Sequence, residues 1–267
     1  MTAGGTEADI AFTQTLLGLA ARAAQRAGAL LHDDRPEVLE VSAKSSPTDV
    51  VTHMDRAAED LLRTIILGER PDDGILGEEG GERQGSSGVR WVIDPLDGTT
   101  NYLYRLPLWS VSVAAEWDGQ VVAGVVHAPA LGLTYAARLG GGARELVGDR
   151  VVIASGASEL AQSLISTGFG YDSEQRRRQA EALVHVAPRV RDVRRLGSAA
   201  IDLCWVADGR TDAYVESRLH PWDVAAGALI AREAGAIVVG DDDPVRAPYV
   251  RASTPGIDEE LMSLLDR

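Results

Sequence analysis

Cysteine is nearly absent: Cys204 stands alone in 267 residues. No disulfide framework can form within the chain, and a lone thiol between Leu203 and Trp205 in a helical pattern reads as buried and inert. Long apolar runs are missing as well. None approaches the ~20 residues that span a bilayer, so no membrane-spanning helix is expected. Residues Met1 to Ala11 lack both a positive segment and an apolar one, which argues against a secretory leader and for a cytoplasmic protein. Internal repeats, low-complexity tracts and a Pro/Ser/Gly linker are also lacking; Gln84-Gly85-Ser86-Ser87-Gly88 is too short for a linker and reads as a mobile loop. Positive charge is scarce, with 26 Lys and Arg against 40 Asp and Glu and a formal net charge of −14. A field of that sign repels nucleic acid and anionic membrane surfaces, and neither is expected as a partner. The one basic cluster, Arg176-Arg177-Arg178, reads as a solvated helix face.

What the chain does have is enough apolar content, 45%, to bury a large core as one enzyme of two packed halves. Residues 1–148 read as an N-terminal α+β half and 149–267 as a C-terminal α/β half. In the first, an amphipathic helix is expected over Thr6 to Leu31 and a second over Met54 to Leu67. In the second helix Ala58, Leu61, Leu62, Ile65 and Ile66 share one face, leaving Arg56, Glu59, Asp60 and Arg63 for solvent. Ser110 to Trp117, Val121 to Ala128 and Leu133 to Ala137 read as antiparallel strands, the first two joined at Asp118-Gly119. From about Val151 strands and helices alternate: strands at Val151 to Ala154, Ser163 to Thr167, Asp192 to Arg195, Asp212 to Val215 and Ala236 to Val239. The helices between them run over Glu174 to Val186, Ser198 to Ala207, with Ser198 as its N-cap, and Trp222 to Ala234, with a last one from Ile257. Antiparallel hairpins followed by alternation point to layered halves.

The segment Trp91-Val92-Ile93-Asp94-Pro95-Leu96-Asp97-Gly98-Thr99-Thr100-Asn101 concentrates the chemistry. An apolar strand ends in two carboxylates, a glycine and two hydroxyls. Asp94 and Asp97 so close together would raise each other's pKa unless cations balanced them, and hard divalent ions, Mg2+ above all, suit such oxygen donors. Pro95 is expected to end the strand and turn both side chains and the Leu96 carbonyl toward one point. Gly98 allows close backbone approach, and a helix start at Thr99 offers free N–H groups to a phosphate.

This segment resembles the signature of the inositol monophosphatase family, the Mg2+-dependent, lithium-sensitive phosphatases, and the bacterial inositol-1-monophosphatase type among them. The other parts follow in order: Lys44-Ser45-Ser46-Pro47-Thr48-Asp49-Val50-Val51-Thr52 leading to Asp55, Gly77-Glu78-Glu79-Gly80, Leu196-Gly197-Ser198-Ala199-Ala200, Glu216, and His220-Pro221-Trp222-Asp223. The resemblance covers roughly Ala8 to Leu265. It implies the αβαβα sandwich of the sugar phosphatases, with the site between the halves, and a homodimer. It also implies two to three Mg2+ ions: Glu78, Asp94 and the Leu96 carbonyl on the first, Asp94, Asp97 and Asp223 on the second, and Glu78 with waters on a weaker third. Glu78 and Thr99 would orient the attacking water, with Asp55 fixing the Thr99 hydroxyl, and Gly98 and Thr99 N–H groups would cradle the phosphate. Lys44 would support from a flap. Asp97, Ala199 and Glu216 would contact the hydroxyls of a small phosphorylated polyol, myo-inositol monophosphate.

Several of these positions have ordinary structural readings. Asp94 and Asp97 could be turn residues, and Asp55 and Asp223 helix-start charges; the order of the motifs favours the site. His53, His127 and His185 have no metal-ligand spacing, and His220 reads as a structural neighbour. Related phosphatases of histidinol phosphate, fructose 1,6-bisphosphate or adenosine 3′,5′-bisphosphate share the metal motifs. A regulatory protein that kept the fold and lost the chemistry is the reading from another class; the intact Glu78, Asp94, Asp97, Thr99 and Asp223 set argues against it.

Overall fold

A computed structural model describes residues 6–44 and 50–265. Among them seven helices follow one another: α1 (Glu7–Asp33), α2 (His53–Glu69), α3 (Thr99–Leu103), α4 (Ser173–Val186), α5 (Ala199–Ala207), α6 (Pro221–Glu233) and α7 (Asp258–Leu265). Both long N-terminal helices start in reciprocal caps. The Thr6 N–H donates to Asp9 Oδ2 (2.9 Å) while the Asp9 N–H donates to Thr6 Oγ1 (3.2 Å), and Thr52 and Asp55 form the same box at α2. Along α1 the buried stripe Leu16, Leu19, Ala20, Ala23, Ala24, Ala27 and Leu31 is mostly small, so the helix lies close to its sheet.

That sheet has eight strands, in the order 150–152, 143–145, 133–138, 120–128, 110–117, 89–97, 74–77 and 81–83. A second sheet has five, in the order 192–194, 164–167, 213–216, 250–253 and 237–239. Helices α1 and α2 cover one face of the larger sheet; α5 and α6 fill the space between the two sheets; α4 and α7 lie on the far side of the smaller one. The result is the layered αβαβα sandwich expected from the sequence. Strand alternation sorts the core: Trp91 and Ile93 join the cluster under α1 and α2, while Val92 faces the α5 and α6 layer. Asp94 shares the Val92 face, which is the face that α6 approaches. Small residues bring α6 in closely, because a Cβ on Gly124 would stand 2.9 Å from the Ala226 Cα.

Four local readings need correction. The strand does not stop at Pro95 but runs to Asp97 through a β-bulge: Asp94 opposes Ser112 and Asp97 opposes Ser110, one residue more than the partner strand supplies. The proline lacks an N–H, so the ladder breaks at that point without ending the strand. The strand at Arg150–Val152 pairs with Ala143–Glu145 in the larger sheet and so does not open the alternating part. Loop 84–88 is tied down, since the Ser86 and Ser87 N–H groups donate to the Asp72 carbonyl and the Ser87 hydroxyl to Asp73. Glu59, placed on the solvent face of α2 by periodicity, is only 2% exposed. The strand Val250–Ser253 was not foreseen; its Arg251 is buried against Asp258 (2.5 Å), which masks the apolar pattern. Cys204 is fully buried, and Arg177 and Arg178 pair with Glu174 on the exposed α4 as a solvated face would.

Candidate active site

The bulge aims Asp94 and Asp97 at the first turn of α6. There Asp223 joins them: oxygen atoms of Asp94, Asp97 and Asp223 lie within 4.8 Å of one another. Each carboxylate has one oxygen held by backbone. The Leu96 N–H donates to Asp94 Oδ1 (2.9 Å), the Ala200 N–H to Asp97 Oδ2 (2.8 Å) and the His220 N–H to Asp223 Oδ2 (2.6 Å). The Ser198 hydroxyl adds a bond to Asp97 Oδ2 at 2.6 Å. The side chains are thus oriented by the chain itself, with one oxygen of each close to the others.

Such an arrangement is electrostatically costly in the bare chain. Burial, and after it the charges of Glu78, Asp97 and Asp223, push the Asp94 carboxyl well up. Burial followed by Asp97 and Glu78 does the same to Asp223. Burial raises Asp97 to about 6 despite its bonds from Ser198 and Ala200. Like charges held this close with spare oxygens are a fit for a hard divalent cation, and the donor set, three carboxylates beside the Leu96 carbonyl, contains no nitrogen or sulfur to favour a softer metal.

Glu78 lines the same cleft of about 500 Å3 but stands outside that three-carboxylate cluster. It pairs with Lys44, whose Nζ lies 2.7 Å from Glu78 Oε1 and also bonds Glu79. Burial raises Glu78 to about 7 against the pull of Lys44; burial would lower Lys44, but Glu78 and Glu79 outweigh it and hold its ammonium charged. Lys44 is the one lysine in the chain, a signal the sequence offered and periodicity passed over. The rest of the expected flap, residues 45–49, lies outside the described residues.

On the other flank, Thr99 Oγ1 donates to Asp55 Oδ1 (3.0 Å) and lies 3.1 Å from the Leu96 carbonyl. Asp55 is fixed in turn by its cap, accepting the Thr52 N–H (2.9 Å) and hydroxyl (2.5 Å). Gly98 has φ +98°, and a Cβ there would meet the Leu108 carbonyl at 2.9 Å, so the turn into α3 requires glycine. Ala199, first residue of α5, and Glu216, last of its strand, line the cleft opposite. Two contributors were missed. Ser198, read only as a helix cap, also bonds Asp97. Glu59 accepts the N–H groups of Glu79 (2.7 Å) and Gly80 (2.8 Å) and so shapes the turn that carries Glu78. His220 stacks on Trp222 at 4.8 Å.

A family model described as "Inositol monophosphatase family" matches residues 13–265. The chain belongs to the inositol monophosphatase family. It is 45% identical over 271 residues to inositol-1-monophosphatase SuhB of Mycobacterium tuberculosis, covering 94% of this chain and 93% of that one. The Escherichia coli relative, named Nus factor SuhB, is 41% identical and covers 84% of each chain. The extragenic suppressor protein suhB of Bartonella henselae superposes with TM-score 0.89 at 36% identity, over 95% of this chain and 99% of that one. Family membership and the acidic cluster support a phosphatase that acts on small phosphorylated substrates with metal. Among the described residues no helix is long and apolar enough to cross a membrane.

Proposed function

We propose that this protein is a cytoplasmic Mg2+-dependent phosphomonoesterase, an inositol-phosphate phosphatase that hydrolyses myo-inositol monophosphate to myo-inositol and phosphate. The observation that carries the reading is the meeting of Asp94, Asp97 and Asp223 within 4.8 Å, beside a Thr99 hydroxyl already bonded to Asp55. Phosphate monoesters hydrolyse so slowly that enhancements up to ~10^21 are needed, and side-chain acid–base catalysis supplies only about 10^2 to 10^4. Bound Mg2+ would supply the remainder by neutralising phosphoryl oxygens, stabilising the leaving alkoxide and acidifying a water.

Glu78, Asp94 and the Leu96 carbonyl would hold one ion and Asp94, Asp97 and Asp223 another, with Glu78 available to a third. The Thr99 hydroxyl has one proton, and a carboxylate acceptor at Asp55 claims it. Its lone pairs therefore remain for the attacking water, which Glu78 would orient from the other side. No histidine or lysine neighbours Thr99 in sequence to make it a nucleophile, so direct attack by water is preferred to a covalent intermediate. Gly98 and Thr99 N–H groups would receive the phosphate. Across the cleft, Asp97, the Ala199 backbone and Glu216 would read ring hydroxyls. A carboxylate reader rejects esters that lack those hydroxyls.

The test is Mg2+-dependent phosphate release from inositol 1-phosphate, histidinol phosphate, fructose 1,6-bisphosphate and adenosine 3′,5′-bisphosphate, each with and without Li+. Preference for inositol 1-phosphate supports the reading. Preference for another ester keeps the metal chemistry and removes the role given to Glu216. Release from none would favour a regulatory role of the kind the name of the Escherichia coli relative suggests.

A further inference from the structure

Glu216 stands on a partition. On one side is the catalytic cleft of about 500 Å3; on the other a second cavity of about 620 Å3 runs beneath α4, with Thr167, Gly168, Gln175, Gln179, Val215 and Ser217 in its wall. Glu216 lines both. A long carboxylate at such a boundary has room to turn away from a ligand, and each free rotamer would weaken its recognition.

Two neighbours oppose that. Tyr214 lies two residues earlier on the same strand and so on the same face, is fully buried, and donates its hydroxyl to Glu216 Oε2 at 2.7 Å. The hydrogen bond fixes the carboxyl through that oxygen. Gly168 follows the parallel neighbouring strand, in which Thr167 pairs with Val215. A Cβ on Gly168 would stand 1.7 Å from Glu216 Oε2 and 2.2 Å from its Cδ, so the carboxyl lies where any side chain would be. The φ of Gly168 is not in the left-handed region; the glycine is needed for space and not for backbone conformation. Tether and recess act on the same carboxyl group.

We propose that Tyr214 and Gly168 are positioning residues that set the specificity of the cleft for cyclic polyol phosphates, by holding the Glu216 carboxylate toward the ring hydroxyls and out of the cavity beneath α4. The proposal rests on the reading of Glu216 as a hydroxyl acceptor and adds what keeps it in place. Loss of the Tyr214 hydroxyl removes one bond to a charged group without altering the packing of the ring.

The experiment compares inositol 1-phosphate with phenyl phosphate, which has no hydroxyls to read. Tyr214→Phe should raise KM for inositol 1-phosphate about tenfold, as loss of one bond to a charged group does, with kcat and the phenyl phosphate constants within about twofold. Gly168→Ala should produce the same split. In a Glu216→Ala background, Tyr214→Phe should add nothing, whereas a merely structural tyrosine would lower Tm and act equally with or without Glu216. Equal KM increases for both esters, or a Tyr214→Phe effect that survives Glu216→Ala, would overturn the proposal while leaving the phosphatase reading intact. A wild-type enzyme that does not prefer inositol 1-phosphate to phenyl phosphate would overturn the reading of Glu216 and this proposal together.

Discussion

Two sets of buried acids lie within the same larger sheet and its surroundings, and the chain treats them differently. Asp73 is 1% exposed and accepts from Trp91 Nε1 (2.8 Å), the Ser87 hydroxyl (2.6 Å) and the Arg70 guanidinium (3.0 Å). Glu59 is as deeply buried and accepts from Arg63 Nε (2.8 Å) and two backbone N–H groups. Each has a cation of its own. Asp94, Asp97 and Asp223 have backbone bonds to aim them, yet among the described residues none forms an ion pair with Lys or Arg within 4.0 Å, and burial raises all three. An acid whose counter-ion is part of the chain is serving the fold. Acids gathered without one are waiting for a cation from solution. Glu78 is intermediate, because Lys44 reaches it and a metal would compete for the same oxygen.

The sharpest way to break this comparison is to make the same change in both sets. Asp94→Asn should reduce Mg2+-dependent turnover about a thousandfold or more, since it would remove the charge that the two proposed ions would share, and should raise Tm of the metal-free protein by relieving repulsion with Asp97, Asp223 and Glu78. Asp73→Asn should do the reverse. It should lower stability by about 1–3 kcal/mol, through a half-buried Arg70 left without its charge partner and the bonds to the buried carboxylate weakened, and leave the folded fraction active. Near-normal turnover of Asp94→Asn, or matching Tm changes in the two variants, would dissolve the distinction.

Acidity offers a second test on the unaltered chain. Carboxyls raised in the folded state bind protons more tightly folded than unfolded, so unfolding free energy falls as pH rises from the ordinary carboxylate range through the folded values. With Asp97 at about 6 and Glu78 at about 7, the metal-free protein should lose stability between about pH 4 and pH 7. Mg2+ would bind the deprotonated acids, so the Tm gain on adding Mg2+ should be larger at pH 8 than at pH 5. A metal-free Tm that rises across this window would contradict the picture of uncompensated acids. Thr99→Ala should then lower kcat by about a hundredfold with KM little changed, measured by steady-state kinetics; a change confined to KM would remove the water-orienting role.

Local patterns made the strand Trp91 to Ile93, the hairpin at Asp118-Gly119 and the cap at Ser198 legible in the sequence, because each depends on residues that are neighbours in the chain. The convergence of Asp94 and Asp97 with Asp223 is not local. It became readable only through the order of several separated motifs, since nothing near Asp223 distinguishes it from an ordinary helix-start charge. Glu59 shows the limit most clearly. A 3.6-residue period placed it with Arg56, Asp60 and Arg63, and the period was right about the helix; what drew Glu59 inward was the pair of N–H groups at Glu79 and Gly80, twenty residues further on. Pro95 misled in a similar way. A residue that cannot join a ladder can end a strand or bulge it, and the register of Ser110 and Ser112 on the neighbouring strand decides which.

Glu59 supports the smallest effect and the finest test of the comparison, because it belongs to the paired set by its contacts and adjoins the proposed metal site through the turn that carries Glu78. Glu59→Gln keeps the size and loses the charge. Its amide can accept from only one of the Glu79 and Gly80 N–H groups in the present geometry, and its nitrogen would face Arg63 or an N–H. The turn carrying Glu78 should loosen, and the concentration of Mg2+ giving half-maximal activity should rise about three- to tenfold, as changes behind metal ligands do, with kcat at saturating Mg2+ close to wild type. Asp73→Asn, which is also structural but remote from Glu78, should leave that Mg2+ dependence unmoved. If Glu59→Gln lowers only Tm, Glu59 belongs with Asp73 and the turn at Gly77-Glu78-Glu79-Gly80 keeps its shape without it.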